Sequence, residues 1–552
     1  MKDSTLVVGL VAALLAVYIV DKIIQARKDA RRFPLPPGPR GFPIVQNMFD
    51  LPKKDTFAAP QFAKFKDKYG PLTALRVIGK PFIVINDSQV ALDILEKKSA
   101  EFSSRPSLTF IGEMYAVAMN RIYLCSLSSS FRVGWVKATG GIPYNHTFRL
   151  HRKVFARIIG TKTTAAQFDE LQEAEVGHFL LHVLDSPENL KEHIHKQVNI
   201  VAEAGTVALK IAYGYNADQF NKDPLLSRMN KVMDDFAQSA VLGRYLVDFF
   251  PALKYLPDWF PGTTWKRLAK QYRAEFHDAV ERPYRFVESQ MAEGRENLSY
   301  LAKAMATSEN TPEEIHNNMW TAGSIFSGGA DTSVASVNAF FLAMAKFPEA
   351  QKRAQEEIDR VIGSDRFPTI SDRDSLPYLE ALIKEVLRWH PIAPMGLLHM
   401  SSEEATYLNY RLPKGSLVLC NIWWFMNNPE VYKEPSQFRP ERFLEGEGRE
   451  PEPDPRRYVF GFGRRICPGR ILADNSLYLN FAQSLAVFNI MKPIIDGKEV
   501  EPEFRPLPGA ISHVAPYEAT IKPRSPRHEQ LIRSIEQRFP WQESDAKGLE
   551  AV

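Results

Sequence analysis

The stretch FGFGRRICPGR, which runs from Phe460 to Arg470, holds one of the three cysteines in a chain of 552 residues. Gly461 and Gly463 permit tight turns and a close approach of the backbone, and Pro468 suits the first turn of the helix that the following ILADNSLYLNFAQSLAVF predicts. Cys467 is therefore expected at a helix N-terminus, where free amides and the helix dipole favour a thiolate, a soft metal ligand. A buried structural cysteine is the alternative, but it leaves the surrounding glycines and arginines unexplained.

A second stretch, SGGADTS from Ser327 to Ser333, lies in the middle of a long predicted helix. The tetrapeptide TPEE, residues 311–314, is a capping box with proline at the first helical position, and the helix it opens can continue to about Lys346. Two adjacent glycines in a helix interior cost roughly 1 kcal/mol each relative to alanine. The pattern therefore indicates a helix kink, a helix–helix contact or a molecule bound close to the backbone.

The first stretch resembles the heme-binding signature of the cytochrome P450 superfamily. In that resemblance Cys467 matches the axial thiolate ligand of the heme b iron, and Gly469 is the last glycine of the signature. Phe460 would pack near the thiolate, and Arg465 would pair with a heme propionate. A thiolate that pushes electron density onto iron favours cleavage of the O–O bond.

The second stretch is similar to the AGx(D/E)T pattern of the same family. The resemblance implies that Gly328 and Gly329 make room for dioxygen and that Asp331 and Thr332 carry the proton relay. Thr332 would hydrogen-bond to the oxygen and order a water, while Asp331 would connect that water to solvent. A hydroxyl that bonds its own helix backbone is the commoner arrangement and stays an alternative.

A third motif predicts a structural network of charges. The sequence SLPYLEALIKEVLRWHP indicates an amphipathic helix ended by proline, with Glu385 and Arg388 three residues apart on one face. An exposed surface pair would be the ordinary interpretation. The family resemblance instead adds Arg442 of PSQFRPERF and implies a buried Glu-Arg-Arg set, in which the loss of one partner costs roughly 3–5 kcal/mol.

Two further residues match positions that contact heme propionates in relatives. Arg152 lies in YNHTFRLHRKVFAR, where Phe148 replaces the family's tryptophan and so lacks its N–H donor. His399 lies in a stretch predicted as strand, turn and strand, with the turn at residues 413–415. A histidine whose hydrogen bonds are satisfied within a strand is the alternative.

The N-terminus predicts a membrane anchor. Leu6 to Ile24 would form an apolar helix about 28 Å long, close to the ~30 Å hydrocarbon core of a bilayer. Basic residues crowd its C-terminal flank, which predicts a single-pass protein of the endoplasmic reticulum membrane with a cytosolic catalytic domain. A cleaved signal peptide and a buried helix are the alternatives.

The rest of the chain divides into a basic, proline-rich linker at 25–43, a catalytic domain at 44–525 and a polar C-terminal tail at 526–552 that is expected to be loose at its end. Within the domain, LTALRVI (72–78) and PFIVIN (81–86) predict short strands. Residues 115–132 make the stretch after Arg105-Pro106 longer than in related fungal sequences. We interpret them as translated intron, against a genuine insertion in a substrate-gating loop.

Composition restricts the function. A net charge of +4 over 552 residues is too weak to indicate nucleic-acid binding. Cys125, Cys420 and Cys467 are widely spaced and odd in number, which disfavours a disulfide framework and a zinc site. The 45% apolar content allows a sizeable core.

The resemblance covers nearly the whole chain and implies a mainly α-helical cytochrome P450 fold, a helical prism with a small β-rich subdomain. It also implies a monooxygenase that takes electrons from NADPH through a membrane-bound NADPH-cytochrome P450 reductase and inserts one oxygen atom of O2 into a C–H bond. A lipophilic substrate, such as a terpenoid of fungal secondary metabolism, is predicted from pocket residues that are mostly small or aliphatic. They are Ser324, Ile325, Ile392, Met395, Leu397, Ala510 and Ile511. The competing functions are a heme-thiolate isomerase or dehydratase that needs no reductase, and an inactive heme-binding polypeptide.

Overall fold

The computed structural model describes residues 33–552 except 54, 107, 111–134, 136, 187–199, 240–243, 296, 447 and 449. The predicted anchor at 1–24, the first part of the linker and the predicted insertion at 115–132 with Cys125 lie outside the described residues. Among the helices of the described part, none has both the length and the apolar character required to cross a bilayer.

The fold is mainly α-helical with small sheets, as predicted. The longer helices are α1 Ala59–Tyr69, α2 His146–Ile159, α3 Asp169–Asp185, α4 Ile200–Tyr213, α5 Pro224–Ser239, α6 Thr264–Ala292, α7 Tyr300–Thr307, α8 Pro312–Ala330, α9 Thr332–Lys346, α10 Pro348–Val361, α11 Pro377–Trp389, α12 Arg470–Val487 and α13 Pro526–Arg533. The strands are β1 Leu72–Val77, β2 Lys80–Ile85, β3 His399–Met400, β4 Ala405–Tyr407, β5 Tyr410–Leu412, β6 Leu417–Cys420, β7 Phe488–Met491, β8 Ile494–Ile495, β9 Lys498–Glu499 and β10 Thr520–Pro523.

Four strands form the main sheet in the order β1-β2-β6-β3. β1 and β2 pair antiparallel, with Leu72 opposite Ile85, and β6 lies parallel to β2. The alternating and β-branched residues of LTALRVI and PFIVIN produce this hairpin, within one residue of the predicted bounds. Proline-rich residues at the end of the linker pack onto this side, since Ala74 donates to the Pro37 carbonyl at 3.0 Å.

The predicted long helix is present but is divided into α8 and α9 at Asp331. Its start has the predicted capping box, in which the Thr311 hydroxyl and the Glu314 carboxylate each accept a backbone N–H. At the division, the Thr332 hydroxyl donates to the Gly328 carbonyl at 2.9 Å. In a continuous helix this carbonyl would accept a backbone amide alone. α9 is apolar on all sides and buried, and its Phe340 stacks on Phe481 of α12 at 4.0 Å.

The expectation of a loose C-terminal tail is wrong. After α13 the chain forms two more short helices, Ile535–Arg538 and Ala546–Glu550. Ile532, Ile535 and Leu549 are buried, and Trp541 stacks on His178 of α3 with the rings 4.0 Å apart. The tail is polar on average, but its few apolar residues are spaced so that they face α3 and α6, and their burial holds the segment in place.

Candidate active site

Cys467 lies in a loop between a single turn of 3-10 helix, Gly463–Arg465, and helix α12. Its amide donates to the Phe460 carbonyl at 2.7 Å. Gly461 and Gly463 both have positive φ, +79° and +51°, and a Cβ at Gly463 would collide with the backbone carbonyl of Leu95. The loop therefore needs both glycines to bring Cys467 to its position.

The surroundings of Cys467 correct one expectation. Burial raises the pKa of the Cys467 thiol, and the Gly469 amide and the guanidiniums of Arg152 and Arg470 oppose that shift without reversing it. α12 begins at Arg470, so the thiol stands before the helix rather than on its first turn, and loss of hydration outweighs the dipole. A bound metal cation is what makes a buried thiol in such a place ionise.

Three arginines from distant parts of the chain converge beside this loop. Arg152 of α2 donates to the Ile466 carbonyl at 2.7 Å, which places it one residue from the cysteine. Arg465 donates to the Ser103 carbonyl at 2.6 Å. Arg105 donates through one nitrogen to two carbonyls of the chain just before β3, both at 2.8 Å.

The predicted residue His399 completes this cationic cluster, which we define as Arg105, Arg152, Arg465 and His399. Its Nδ1 lies 2.8 Å from the Phe102 carbonyl, and that acceptor requires Nδ1 to carry a proton. Burial and the charges of Arg105 and Arg465 hold the pKa of His399 well below its usual value. Burial, together with the charges of Arg105 and Arg152, lowers the pKa of Arg465 to about 8.

Among the described residues, the arginines of the cationic cluster have no carboxylate partner. In the part of the chain that the structure describes, its three guanidiniums donate to carbonyl oxygens and make no ion pair with a carboxylate. Several like charges held together under partial burial are costly unless an anion joins them. The two propionates of heme b are such anions, and the donor set fits a heme whose iron is bound by Cys467.

Arg105 was missed by sequence reasoning. It is buried, and of its three carbonyl acceptors Gly140 is 35 residues away in the chain and Leu397 and Leu398 are 292 and 293 residues away. No local pattern separates it from the other arginines, so only the folded contacts reveal it.

Phe148 makes a different interaction from the one expected of the tryptophan in the family pattern. It is buried on α2, and the Arg465 guanidinium lies 3.7 Å from its ring centroid. The lost N–H donor is thus replaced by a cation–π platform, an interaction worth about 0.5–2 kcal/mol.

The two glycines of SGGADTS differ. A Cβ at Gly329 would lie 2.9 Å from the Ala208 Cβ of α4, so Gly329 serves a helix–helix contact. A Cβ at Gly328 would meet nothing within 4 Å. Gly328 therefore leaves an open face beside Thr332, and the Asp331 carboxylate beside it lies 2.9 Å from Nε2 of His513.

The predicted pocket residues are half-buried, apart from Ile325, which is buried. The Ser324 hydroxyl donates to the Trp320 carbonyl and accepts the Thr139 amide at 2.9 Å. The Thr139 carbonyl in turn accepts Arg465 at 3.3 Å, so Thr139 connects α8 to the cysteine loop.

The other pocket residues lie on two loops. The Ile392 carbonyl accepts the Ser512 amide at 2.7 Å, which brings together the loop that contains Leu397 and the loop that contains Ala510 and Ile511. Met395 instead packs against the apolar cluster of the main sheet, around Phe82. Ile392 thus adjoins the loop of Ala510 and Ile511, while Leu397 lies toward Gly140 and Met395 faces the sheet.

Comparison with known proteins agrees with this geometry. The sequence profile described as Cytochrome P450 matches residues 36–121 and 146–519. The chain belongs to the cytochrome P450 family. It is a monooxygenase of that family, and membership implies heme iron and O2.

Several curated P450 enzymes are similar to the chain over nearly their whole length. A cytochrome P450 monooxygenase of Ampulloclitocybe clavipes, claR, is 42% identical over 94% of this chain and 92% of its own. A second, ppsD of Aspergillus oryzae, is 39% identical over 98% of both chains. The O-methylsterigmatocystin oxidoreductase of Aspergillus flavus is 37% identical over 97% of this chain and 96% of its own.

In this P450 the structure brings Glu385, Arg388 and Arg442 together with almost no exposure to solvent. Arg388 donates to both oxygens of Glu385, at 2.7 and 2.8 Å, and Arg442 donates to one of them at 3.1 Å. The backbone amide of Arg439 adds a fourth donor at 2.8 Å. The remaining guanidinium donors reach backbone carbonyls and the Glu452 carboxylate, so the buried charges are closely paired.

Proposed function

We propose that the protein hydroxylates a lipophilic small molecule of fungal secondary metabolism, such as a terpenoid, with O2 and with electrons from NADPH delivered by NADPH-cytochrome P450 reductase. The observation that carries this proposal is the open face at Gly328, flanked by Asp331 and Thr332 and joined through Thr139 to the cysteine loop. Heme iron bound to Cys467 would supply the activation of O2, which the thiolate favours by donating electron density.

The protein's own residues would supply position and protons. The cationic cluster would hold the propionates and thereby help to retain the cofactor at Cys467. Thr332 would present its hydroxyl at the open face, where a hydrogen bond and an ordered water can deliver a proton, and Asp331 would return that proton. Ile392, Leu397 and Ile511 would exclude water from the substrate and favour an apolar guest.

A reductase partner is supported by exposed basic residues near the cysteine loop. Arg149 and Arg464 both lie over the Tyr144 ring, at 5.7 and 5.1 Å. An acidic partner surface would be steered toward such a patch, and the rate of electron transfer should then fall as ionic strength rises.

A membrane location is supported by exposed apolar side chains on two neighbouring segments. Ile44 and Phe49 are 71% and 74% exposed, and Tyr255 and Trp259 are 79% and 80% exposed. The segments adjoin because Met48 packs in the same apolar cluster as Phe249. Together with the predicted anchor at 1–24, this surface suits attachment to the endoplasmic reticulum membrane.

The test is turnover by the full-length protein reconstituted with reductase, NADPH and isotopically labelled O2. We expect terpenoid scaffolds to gain one labelled oxygen atom, and Thr332→Ala to release more peroxide per NADPH consumed. Turnover of fatty acids alone would contradict the substrate class. Product formed without NADPH would favour the isomerase or dehydratase, and a reduced carbon monoxide spectrum without the red-shifted thiolate band would favour an inactive polypeptide.

A second substrate candidate comes from one relative's name. The Aspergillus flavus enzyme is called an O-methylsterigmatocystin oxidoreductase and is 37% identical to this chain. O-methylsterigmatocystin therefore belongs in the substrate panel, and its oxidation in preference to terpenoids would replace the terpenoid proposal.

Residues 115–132 remain proposed as translated intron. The family profile leaves residues 122–145 unmatched, a range that overlaps this segment. Sequencing of cDNA across the region should show transcripts without these codons, and an abundant transcript that retains them would contradict the proposal.

A further inference from the structure

His513 makes a contact that the motifs do not predict. It lies on the loop between β9 and β10, and its Nε2 is 2.9 Å from Oδ1 of Asp331 at the division between α8 and α9. The His513 side chain is 32% exposed and that of Asp331 is 18% exposed. The pair is thus shielded enough for its charges to interact more strongly than a surface pair would.

The loop that carries His513 is held by backbone hydrogen bonds. The His513 carbonyl accepts the Leu507 amide at 2.8 Å. The neighbouring Ser512 donates its amide to Ile392 at 2.7 Å, and its carbonyl lies 2.9 Å from Nε2 of His390. These hydrogen bonds fix the backbone at His513 in a position from which its imidazole reaches Asp331.

The charged groups around His513 come from three elements. Burial lowers the pKa of His513, but Asp331 and Asp234 of α5 more than offset it, so that its pKa lies above the ordinary 6.5. Burial and the Asp331 charge raise the pKa of Asp234. His390, the other titratable group nearby, is held neutral because burial lowers its pKa to about 4.

We propose that His513 is a positioning residue that holds the Asp331 carboxylate beside Thr332 and so supports the supply of protons at the open face of Gly328. The inference rests on the proposed monooxygenase function, since it assigns a partner to that reaction's proton relay. Without His513, the Asp331 side chain would have no oppositely charged partner among the described residues. The other charged group that interacts with it, Asp234, carries the same charge. The Asp331 side chain would then turn away from Thr332 and the relay would fail more often.

The pair also gives the relay a pH dependence. Because the pKa of His513 is raised in the folded protein, the charged pair is complete below about pH 6.5 and is lost as the pH rises through the raised value. We therefore expect the peroxide released per NADPH consumed to increase with pH in the wild-type protein.

The experiment compares three full-length variants in the heme-bound, reductase-coupled enzyme. His513→Gln keeps a hydrogen-bond donor but cannot carry the positive charge that holds the Asp331 carboxylate. It should therefore release roughly tenfold more peroxide per product, and that release should not depend on pH. His513→Lys should restore coupling, since a cation returns. His528→Gln, on the tail helix α13, is the control and should match the wild type.

A second readout does not use activity. In the diamagnetic ferrous carbon monoxide form, isotope-labelled histidine rings can be titrated by NMR, and the His513 signal is the one missing from His513→Gln. Its pKa should lie above 6.5 in the wild type and fall in Asp331→Asn. A His513 pKa unaffected by Asp331→Asn would overturn the proposal, as would unchanged coupling in a His513→Gln protein with normal thermal stability. If the wild type lacks the red-shifted carbon monoxide band, the proposed function fails instead.

Discussion

Two sets of charged side chains, one buried around Glu385 and one partly buried beside Cys467, differ in how their charges are balanced. Around Glu385, the guanidiniums of Arg388 and Arg442 face a carboxylate that accepts four donors. In the cationic cluster, Arg105, Arg152 and Arg465 face carbonyl oxygens and each other.

The difference separates two uses of arginine. A buried charge whose partner is in the chain stabilises one conformation, and removal of the partner destabilises the fold. A shielded charge that meets no carboxylate among the described residues is suited to bind an anion, and its removal should cost affinity for that anion.

The largest effect is expected from Glu385→Gln. The change preserves shape but leaves Arg388 without a carboxylate and Arg442 with Glu452 alone, which should lower the free energy of unfolding by roughly 3–5 kcal/mol. Denaturant unfolding, followed by tryptophan fluorescence, measures it. Glu356→Gln on the exposed face of α10 is the matched control. An unchanged midpoint for Glu385→Gln would mean that the paired set does not stabilise the fold.

Arg465→Met should act on the cofactor instead. Loss of a charged hydrogen-bond donor costs about 1.5–3 kcal/mol, so heme should dissociate roughly 10- to 100-fold faster. Transfer of heme to excess apomyoglobin measures this rate, and Arg457→Met at an exposed position serves as the control. If Arg465→Met instead kept its heme and unfolded as easily as Glu385→Gln, the contrast between the two sets would be wrong.

The adjacent glycines offer the same contrast without charge. Gly329→Ala crowds Ala208 and should destabilise the protein by about 1–3 kcal/mol. Gly328→Ala meets open space and should stabilise the helix by up to about 1 kcal/mol while it impairs turnover. Thermal unfolding and product assays on both variants separate the two positions. Equal destabilisation by both changes would show that Gly328 is also a packing residue.

The smallest effect is expected from Phe148→Trp. It returns an N–H donor near Arg465 while keeping an aromatic face, so heme loss should slow by a few-fold, equivalent to about 1 kcal/mol. Phe148→Leu, which removes the ring under Arg465, should accelerate heme loss. If the two variants lose heme at the same rate, Phe148 does not support the cluster.

The sequence was sufficient to predict those features whose residues lie close together in the chain. The loop around Cys467, the hairpin of β1 and β2 and the helix that carries Glu385 all follow from residue order over short spans. The sequence offered a kink in the long helix as one of three interpretations, and only the fold shows the division at Asp331 with the Thr332 hydroxyl bonded to the Gly328 carbonyl. The packed tail was misjudged because its average polarity conceals Ile532 and Leu549.

Contacts between residues that are far apart in the chain could not be predicted from the sequence either. Arg105 and His513 resemble any arginine or histidine in the sequence, and their partners lie far along the chain. The thiol pKa also ran against expectation, since the burial of Cys467 is a property of the fold and outweighs the nearby helix.

The proposed function requires the Cys467 sulfur to bind heme iron as a thiolate. The carbon monoxide difference spectrum of the reduced full-length protein is the decisive measurement, with Cys467→Ala as the comparison. We expect a strongly red-shifted band in the wild type that is absent from Cys467→Ala. A Cys467→Ala protein that holds heme with the same band and oxidises substrate as before would contradict it.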